Sequence, residues 1–186
     1  MGLLLFLLHS KLRNFEVCKY GQVALALIKI TFMNYILFDG PARNALLPFT
    51  FTRPVADILV GIMTIRQKWE MRLGTTTTTI TEEYLSEKYP MVEMEENVMI
   101  NASFLPNTVL AEMVSNLSLN QAIFKGDDVI AFYTHENQQE VDFESYEIIE
   151  FEGDCIKIEH TYDIFSHNAN GPRITEASII SVFFPI

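Results

Sequence analysis

The sequence contains few cysteines, few basic residues and no long uninterrupted hydrophobic run. Cys18 and Cys155 are its two cysteines, too few for the disulfide framework of a small secreted domain. The 13 lysines and arginines stand against 24 aspartates and glutamates, whereas a nucleic-acid-binding protein needs a positive surface that displaces counterions. No apolar stretch reaches the ~18 residues of a membrane-spanning helix. We therefore expect a cytoplasmic protein that binds neither nucleic acid nor membrane.

The charge is divided unevenly along the chain. Residues 1–32 carry a net charge of +3, and residues 33–186 carry −14. The opening run from Leu3 to Leu8 is apolar, but no basic residue precedes it and no small-residue cleavage site follows, so it does not fit a secretion signal. A strand-like pattern begins immediately after Met33. We expect residues 1–32 to be an atypical extension and translation to start at Met33.

Strand and helix patterns alternate in the first half of the remaining sequence. Tyr35–Phe38 and Thr75–Ile80 have the apolar or β-branched composition of strands. The apolar spacing between Pro54 and Leu73 predicts a helix that ends at Gly74. The five consecutive threonines of the second strand could instead form a phosphate or glycan site, although a half-exposed strand explains them better. This order of elements predicts an α/β fold with a mostly parallel sheet.

Antiparallel hairpins are expected in the second half of the sequence. Lys125–Asp128 separates two apolar runs and has the composition of a tight turn. Gly153-Asp154 separates a second pair of runs, Ile148–Phe151 and Cys155–Ile158. The chain then closes with an atypical tail at residues 167–186, for which we expect a truncation or a frameshift.

The connection after the first strand is the best candidate for a functional site. It extends from Asp39 to Pro54, whereas connections in compact domains usually have about 4–6 residues. In doubly wound sheets, ligands bind beyond the carboxyl ends of the strands. Arg43 and Arg53 could therefore hold phosphate oxygens bidentately, and backbone N–H groups at Asp39 and Gly40 could complete an anion cradle. Alternatively, both arginines form ordinary ion pairs with the abundant carboxylates.

The same region resembles a known enzyme family. The segment MNYILFDG at residues 33–40, Leu47–Thr50 and Gly61–Glu70 look like the amino end of a sugar nucleotidyltransferase-like family. Its members are similar to the uridylyltransferase half of the bifunctional N-acetylglucosamine-1-phosphate uridylyltransferase/acetyltransferase (GlmU-like) proteins, and occur in Bacteroides-type bacteria. The resemblance implies a Rossmann-like nucleotidyltransferase sheet in a domain at residues 33–166. The hexapeptide-repeat β-helix of longer relatives, an acyltransferase-type domain, has no counterpart in the sequence.

The resemblance also implies an activity and a set of site residues. The implied enzyme joins a sugar 1-phosphate to a nucleoside triphosphate and releases pyrophosphate. Arg43 and Arg53 would act on the phosphates as catalytic residues. Candidate nucleotide-binding residues on the same loop are Asp39, Gly40, Thr50 and Thr52. The sequence leaves the oligomeric state open.

Three departures from the family pattern keep a second hypothesis open. The loop lacks the second glycine of the pattern, so the backbone approaches a triphosphate less freely. Val55 stands where a phosphate-binding lysine follows proline, and Ala102-Ser103 stands in place of the glycine–aspartate pair that holds Mg²⁺. Mg²⁺ is the implied cofactor, but serine is a poor substitute for an anionic oxygen ligand, so the metal ligands are unassigned. The alternative is a catalytically degenerate nucleotide- or sugar-binding module that accompanies an acyltransferase domain.

Overall fold

The computed structural model describes residues 33–135 and 141–168, and the predictions for residues 1–32 and 169–186 lie outside these ranges. The strands in the two ranges are β1 (Asn34–Phe38), β2 (Leu59–Val60), β3 (Met63–Thr64), β4 (Thr78–Ile80), β5 (Glu96–Asn101), β6 (Phe104–Leu105), β7 (Gln121–Lys125), β8 (Asp128–His135), β9 (Glu147–Glu150) and β10 (Ile156–Lys157). The helices are α1 (Ile65–Leu73), α2 (Glu83–Ser86), α3 (Thr108–Ser115) and α4 (Thr161–Asn168). Neither range contains a helix long and apolar enough to cross a membrane.

Six of these strands form one central sheet in the order β4-β1-β5-β8-β7-β9. β1 pairs in parallel with both β4 and β5, and β7 pairs in parallel with β9. β8 lies between β5 and β7 and runs antiparallel to both. The sheet is thus mostly parallel with one antiparallel hairpin, β7–β8, and the predicted α/β class is confirmed.

The centre of the sheet is a row of fully buried apolar side chains. Leu37 of β1 is in register with Ile100 of β5, which faces Ala131 of β8, which in turn faces Ile123 of β7. All four are 0% exposed. Burial of each large apolar side chain contributes about 1.5–3 kcal/mol. The continuous apolar runs in the sequence therefore mark strands that are covered on both faces.

Helix α1 begins later than the sequence pattern predicts. The expected helix from Pro54 is wrong, because Val55–Asp57 forms a single 3₁₀ turn and β2 and β3 form a short hairpin before α1. Gly61, with φ of 72°, lies in the turn of that hairpin, a left-handed conformation that glycine adopts without strain. Ile62, within the span of the expected helix, is 78% exposed at this turn.

The two ends of α1 are set by local hydrogen bonds. The Gln67 N–H donates to Thr64 Oγ1 (3.1 Å), and the Thr64 N–H donates to Gln67 Oε1 (2.9 Å), which is a capping box. Gly74 ends the helix with φ of 70°, as predicted. Trp69 is fully buried, and its indole Nε1 donates to the Phe104 carbonyl (3.0 Å). Burial on the same helix lowers the pKa of the Lys68 ammonium.

The threonine run is a structural edge strand. Thr77 and Thr79 are buried, and Arg66 donates to the Thr77 carbonyl (3.0 Å) and to the Thr79 hydroxyl. Asp57 holds the same guanidinium through its Oδ1 (2.7 Å). The strand interpretation is therefore confirmed for Thr78–Ile80, and the hydroxyls of Thr77 and Thr79 are bonded to Glu70 and Arg66 within the protein.

The second predicted hairpin, between Ile148–Phe151 and Cys155–Ile158, is wrong. β9 pairs in parallel with β7, and β10 leaves the central sheet to pair antiparallel with β6. The Phe151 N–H donates to the Phe124 carbonyl (2.7 Å), so the chain after β9 stays attached to β7. The edge of β7 that faces away from β8 has backbone N–H and C=O groups that need hydrogen-bond partners. β9 supplies these partners by pairing with β7, and it does not pair with β10, the next strand in the sequence.

Candidate functional site

The carboxyl ends of three parallel strands lie side by side. Phe38, the last residue of β1, is in register with Ile80 of β4 and with Asn101 of β5. The loops that follow these residues therefore meet at one edge of the sheet, which we call the carboxyl edge. Ligands of open α/β sheets bind in this position. The long loop at residues 39–54 is the largest of the segments that meet there.

Asp39, the first residue of this loop, is an internal acceptor. Its Oδ1 accepts from the Val55 N–H (2.7 Å), and its Oδ2 accepts from the Thr81 hydroxyl (2.6 Å) and from the Arg43 guanidinium. The carboxylate thus joins the start of the loop to the residue that follows its end, and to the segment after β4. The Asp39 N–H, predicted as part of an anion cradle, donates to the Ile80 carbonyl (3.3 Å).

Arg43 is buried, and each nitrogen of its guanidinium has a partner. The partners are the Asp39 carboxylate, the Thr81 hydroxyl (3.1 Å), the Thr50 carbonyl (2.8 Å), the Tyr84 hydroxyl (3.0 Å) and, 3.5 Å from Nε, the Glu82 carboxylate. Charge-assisted bonds of this kind are strong, and breaking a buried set is costly. The role of Arg43 on a phosphate stays a prediction, and phosphate binding would require it to release at least one partner.

Arg53 has a different environment on the same loop. It is exposed, and among the residues that the structure describes it has no hydrogen bond or ion pair. The neighbouring Thr52 is also exposed, whereas Thr50 is buried and its hydroxyl donates to the Arg43 carbonyl (2.8 Å). The structure therefore places Arg53 and Thr52 where a ligand can reach them, and gives Thr50 a role within the loop.

Gly40 packs closely against the end of β5. A Cβ at this position would lie 2.8 Å from Asn101 Oδ1. Asn101 is itself buried and held in place, because its Oδ1 accepts from the Ser103 N–H (3.0 Å) and its Nδ2 donates to the Val129 carbonyl (3.1 Å). The glycine is thus required by the close approach of the loop to β5 and not by a left-handed backbone.

The residues at the carboxyl edge do not fit a Mg²⁺ site built from protein carboxylates. Ser103, which the resemblance puts in the place of a metal-binding aspartate, is 0% exposed, and its hydroxyl has no hydrogen-bond partner in the described part of the chain. Asp39 is committed to three internal donors. Within residues 33–135 and 141–168, no three His, Cys, Asp or Glu side chains are grouped so that they could hold a metal ion. The ion that the family resemblance implies has no protein-built site among these residues.

Two buried tyrosines with raised pKa values lie at the end of the sheet opposite the carboxyl edge, where β1 and β5 begin. Burial, and then the hydrogen bond to Glu96, raises the pKa of the Tyr133 hydroxyl. Burial also raises the pKa of Tyr35, against the opposing effect of a hydrogen bond with Ser115. Because Glu96 begins β5 and Tyr35 lies near the start of β1, these shifts belong to the packed amino ends of the strands.

The structure adds two aromatic residues that the sequence did not single out. Phe51 of the long loop and Tyr84 of α2 have ring centroids 6.3 Å apart, and the Tyr84 hydroxyl donates to the Phe51 carbonyl (3.1 Å). They are separated by 33 residues in the sequence, and no local pattern links them. Their contact follows from the parallel pairing of β1 with β4, which brings the loops after those strands together.

Comparison with known proteins assigns the chain to a family. Residues 35–171 match the family model described as sugar nucleotidyl transferase. This match spans well over half of the chain, and the chain belongs to that family. Nucleotidyl transfer is therefore its general class of reaction, while the relation to GlmU-like proteins and the bacterial origin stay predictions. No curated protein matches the chain.

Two solved structures show similarity to the chain. The CTP:phosphocholine cytidylyltransferase of Streptococcus pneumoniae is 12% identical, with 74% of this chain and 98% of that chain covered and a TM-score of 0.40. A Bacillus anthracis protein described as a glucose-1-phosphate thymidylyltransferase, solved in complex with sucrose, is 9% identical, with 77% and 96% covered and a TM-score of 0.42.

Proposed function

We propose that the domain transfers a nucleotidyl group from a nucleoside triphosphate to a sugar 1-phosphate at the carboxyl edge. The observation that carries this proposal is the arrangement of loop 39–54. Buried Arg43 holds the loop in shape, and Arg53 is exposed at the edge with no hydrogen-bond or ion-pair partner among residues 33–135 and 141–168. Membership of the sugar nucleotidyl transferase family supports the class of reaction, and the position of the loop fits the place where α/β sheets bind ligands.

In the proposed reaction, a phosphate oxygen of the sugar 1-phosphate attacks the α-phosphorus of the triphosphate. The bond between the α-phosphorus and the bridging oxygen breaks, and pyrophosphate leaves with the electron pair. Arg53 binds the triphosphate and stabilises the negative charge that develops on the leaving group, because a guanidinium matches phosphate oxygens bidentately. The Thr52 hydroxyl beside it donates to a phosphate oxygen. Asp39 and Thr50 maintain the loop that presents these groups.

A second candidate function is binding of a nucleotide or nucleotide sugar without turnover. Two observations favour it: the guanidinium of Arg43 is engaged internally, and Ser103, where the resemblance implies a metal-binding carboxylate, is a buried residue without charge. A site of this kind would retain affinity through Arg53 and lack the charge neutralisation that phosphoryl transfer needs.

The two candidates differ in whether pyrophosphate is released. The full chain is incubated with UTP, CTP, ATP, GTP or dTTP, together with glucose 1-phosphate or N-acetylglucosamine 1-phosphate and Mg²⁺, and pyrophosphate is measured by a coupled phosphate assay. Isothermal titration with the same triphosphates, with and without Mg²⁺, measures binding. Sugar-phosphate-dependent release supports transfer, and binding without release supports the second candidate. If neither is found with any substrate pair, both candidates are wrong.

The role of Arg53 is tested by substitution against a matched arginine. Arg53→Ala is expected to weaken triphosphate binding about tenfold or more, which corresponds to about 1.4 kcal/mol. Arg72→Ala is the control, because Arg72 is also exposed and donates to the Thr108 hydroxyl (2.8 Å) at the carboxyl end of α1. That end lies away from the carboxyl edge, since α1 runs back between the parallel strands β1 and β4. An equal loss in both variants contradicts the assignment.

A further inference from the structure

Two large aromatic rings are exposed together at the carboxyl edge. Phe51 is 65% exposed and Tyr84 is 61% exposed, and their ring planes are tilted by 44° at a centroid separation of 6.3 Å. Rings exposed to this extent add little to the core, so their stabilising effect does not explain their presence. We call the pair Phe51 and Tyr84 the aromatic platform.

Hydrogen bonds to the Tyr84 hydroxyl hold the aromatic platform in place. The Tyr84 hydroxyl accepts from Arg43 Nη2 (3.0 Å) and donates to the Phe51 carbonyl (3.1 Å). Arg43 is buried and tied to Asp39 and to the Thr50 carbonyl. Because Tyr84 is fixed at its hydroxyl, a ligand that stacks on the ring immobilises few additional rotamers, and this lowers the entropic cost of binding.

We propose that Phe51 and Tyr84 are the surface on which the base of the nucleoside triphosphate stacks. This inference rests on the proposed function and adds the site of the base to it. A base stacks on an aromatic side chain with either of its faces, whatever its hydrogen-bonding groups. Arg53 follows Phe51 by two residues, so their α-carbons are no more than about 7 Å apart. One nucleotide can therefore contact the platform with its base and Arg53 with its phosphates.

The polar groups of the aromatic platform favour a base over a sugar. The Tyr84 hydroxyl and the Phe51 carbonyl are already bonded to each other, and the hydroxyl also accepts from Arg43. The platform thus offers apolar ring faces and few free hydrogen-bonding groups. The hydroxyls around a sugar ring would find few hydrogen-bonding partners on this surface, whereas the face of a base needs none.

The test compares ligands with and without a base. Binding of inorganic tripolyphosphate, of glucose 1-phosphate and of the nucleoside triphosphate that the wild type binds most tightly is measured by titration for the wild type, Phe51→Leu and Tyr84→Leu. Each substitution is expected to weaken binding of the nucleoside triphosphate about tenfold and to change the affinity for tripolyphosphate by less than about twofold. Phe165→Leu is the matched control, because Phe165 on α4 is also 65% exposed, and it is expected to change neither. Tyr84→Phe keeps the ring and is expected to lose less affinity for the nucleoside triphosphate than Tyr84→Leu.

Each alternative outcome has a defined meaning. Equal weakening of the triphosphate and of tripolyphosphate shows that the substitutions act on the shape of the loop, and overturns the base assignment. Weakened binding of glucose 1-phosphate with unchanged triphosphate binding assigns the platform to the sugar and also overturns it. Unchanged binding of every ligand in both leucine variants refutes the base assignment of the platform and leaves the proposed function standing. A wild-type chain that binds no triphosphate refutes the proposed function itself. Thermal melting verifies that every variant is folded.

Discussion

Arg43 and Thr50 hold each other through two reciprocal hydrogen bonds. Arg43 Nη2 donates to the Thr50 carbonyl, and the Thr50 hydroxyl donates to the Arg43 carbonyl, each over 2.8 Å. Both residues are buried, so these bonds close part of the long loop on itself without help from solvent. The three residues that follow Thr50, which are Phe51, Thr52 and Arg53, are exposed at the surface.

Removal of Arg43 is expected to destabilise the domain. Arg43→Ala leaves the Asp39 carboxylate without its charged partner and is expected to lower the free energy of unfolding by about 3–5 kcal/mol. Thr50→Val removes one hydroxyl donor and is expected to cost about 1 kcal/mol. Urea unfolding at pH 7 measures both. If Arg43 also contacts the phosphates, Arg43→Ala lowers kcat/KM at least about tenfold at a temperature where the variant is folded. An unchanged kcat/KM contradicts that second role.

The close approach of Gly40 to Asn101 predicts an energetic coupling between them. Gly40→Ala introduces a Cβ 2.8 Å from Asn101 Oδ1 and is expected to cost about 1–3 kcal/mol. In an Asn101→Ala background the same substitution is expected to cost less, because the obstructing amide is gone. The free energies of unfolding of the wild type, both single variants and the double variant give the coupling energy. Equal costs of Gly40→Ala in the two backgrounds contradict this steric account.

The buried hydroxyl of Ser103 predicts opposite effects of two substitutions. Ser103→Ala removes a polar atom that has no hydrogen-bond partner, so we expect it to leave stability unchanged or raise it by up to about 1 kcal/mol. Ser103→Asp introduces the carboxylate that the resemblance implies at this position but buries a charge, and is expected to destabilise the domain by several kcal/mol. Chemical unfolding with and without Mg²⁺ measures both. Stabilisation of the Ser103→Asp variant by Mg²⁺ would show that position 103 can face a metal after all.

The hydrogen bonds of the Asp163 carboxylate are expected to make the domain less stable in acid. Its Oδ2 accepts from the Glu159 N–H (3.0 Å) and the His160 N–H (2.8 Å) at the start of α4. Burial raises the pKa of this carboxyl, but the two backbone bonds and the nearby histidines outweigh burial, and the pKa lies below its ordinary value of 3.8. The stabilisation is therefore complete above the pKa of the unfolded chain and is lost as the pH falls through the lower pKa of the folded state.

The measurement that checks Asp163 is urea unfolding between about pH 5 and pH 2. Asp163→Asn is expected to be less stable than the wild type at pH 5 and to lose less stability on acidification. Asp127→Asn removes an exposed carboxylate from the β7–β8 turn and is the matched control. The prediction fails if Asp163→Asn and Asp127→Asn show the same dependence on pH.

Much of the sheet could be predicted from the sequence because its signals are local. β1 is an apolar run that is covered on both faces, and the turn at Lys125–Asp128 is bounded by apolar strands, so composition alone indicates both elements. The start of α1 also has a local signal, since Thr64 and Gln67 have the spacing of a capping box. The apolar spacing before Thr64 favoured an earlier start of the helix, and the predicted helix therefore began near Pro54.

The partner of β9 and the contacts of the site could not be predicted in this way. β9 pairs with β7 in parallel, and a turn signal such as Gly153-Asp154 contains no information about a distant strand edge. Thr81 and Tyr84 bond to Arg43 across 38 and 41 residues of sequence. These partners depend on which strand ends are adjacent, which is a property of the sheet order.

Composition, motifs and spacing were sufficient to indicate the family, the α/β class, the uneven charge and the unusual length of the loop that carries Arg43 and Arg53. Only the tertiary structure distinguished the two arginines. Arg43 is buried because the parallel pairing of β1 with β4 brings acceptors from the following segment within reach of its guanidinium. Arg53 has no such acceptor in the described part of the chain and stays exposed. Two residues of the same type on one loop thus differ in environment because burial and hydrogen bonding depend on neighbours that are distant in sequence.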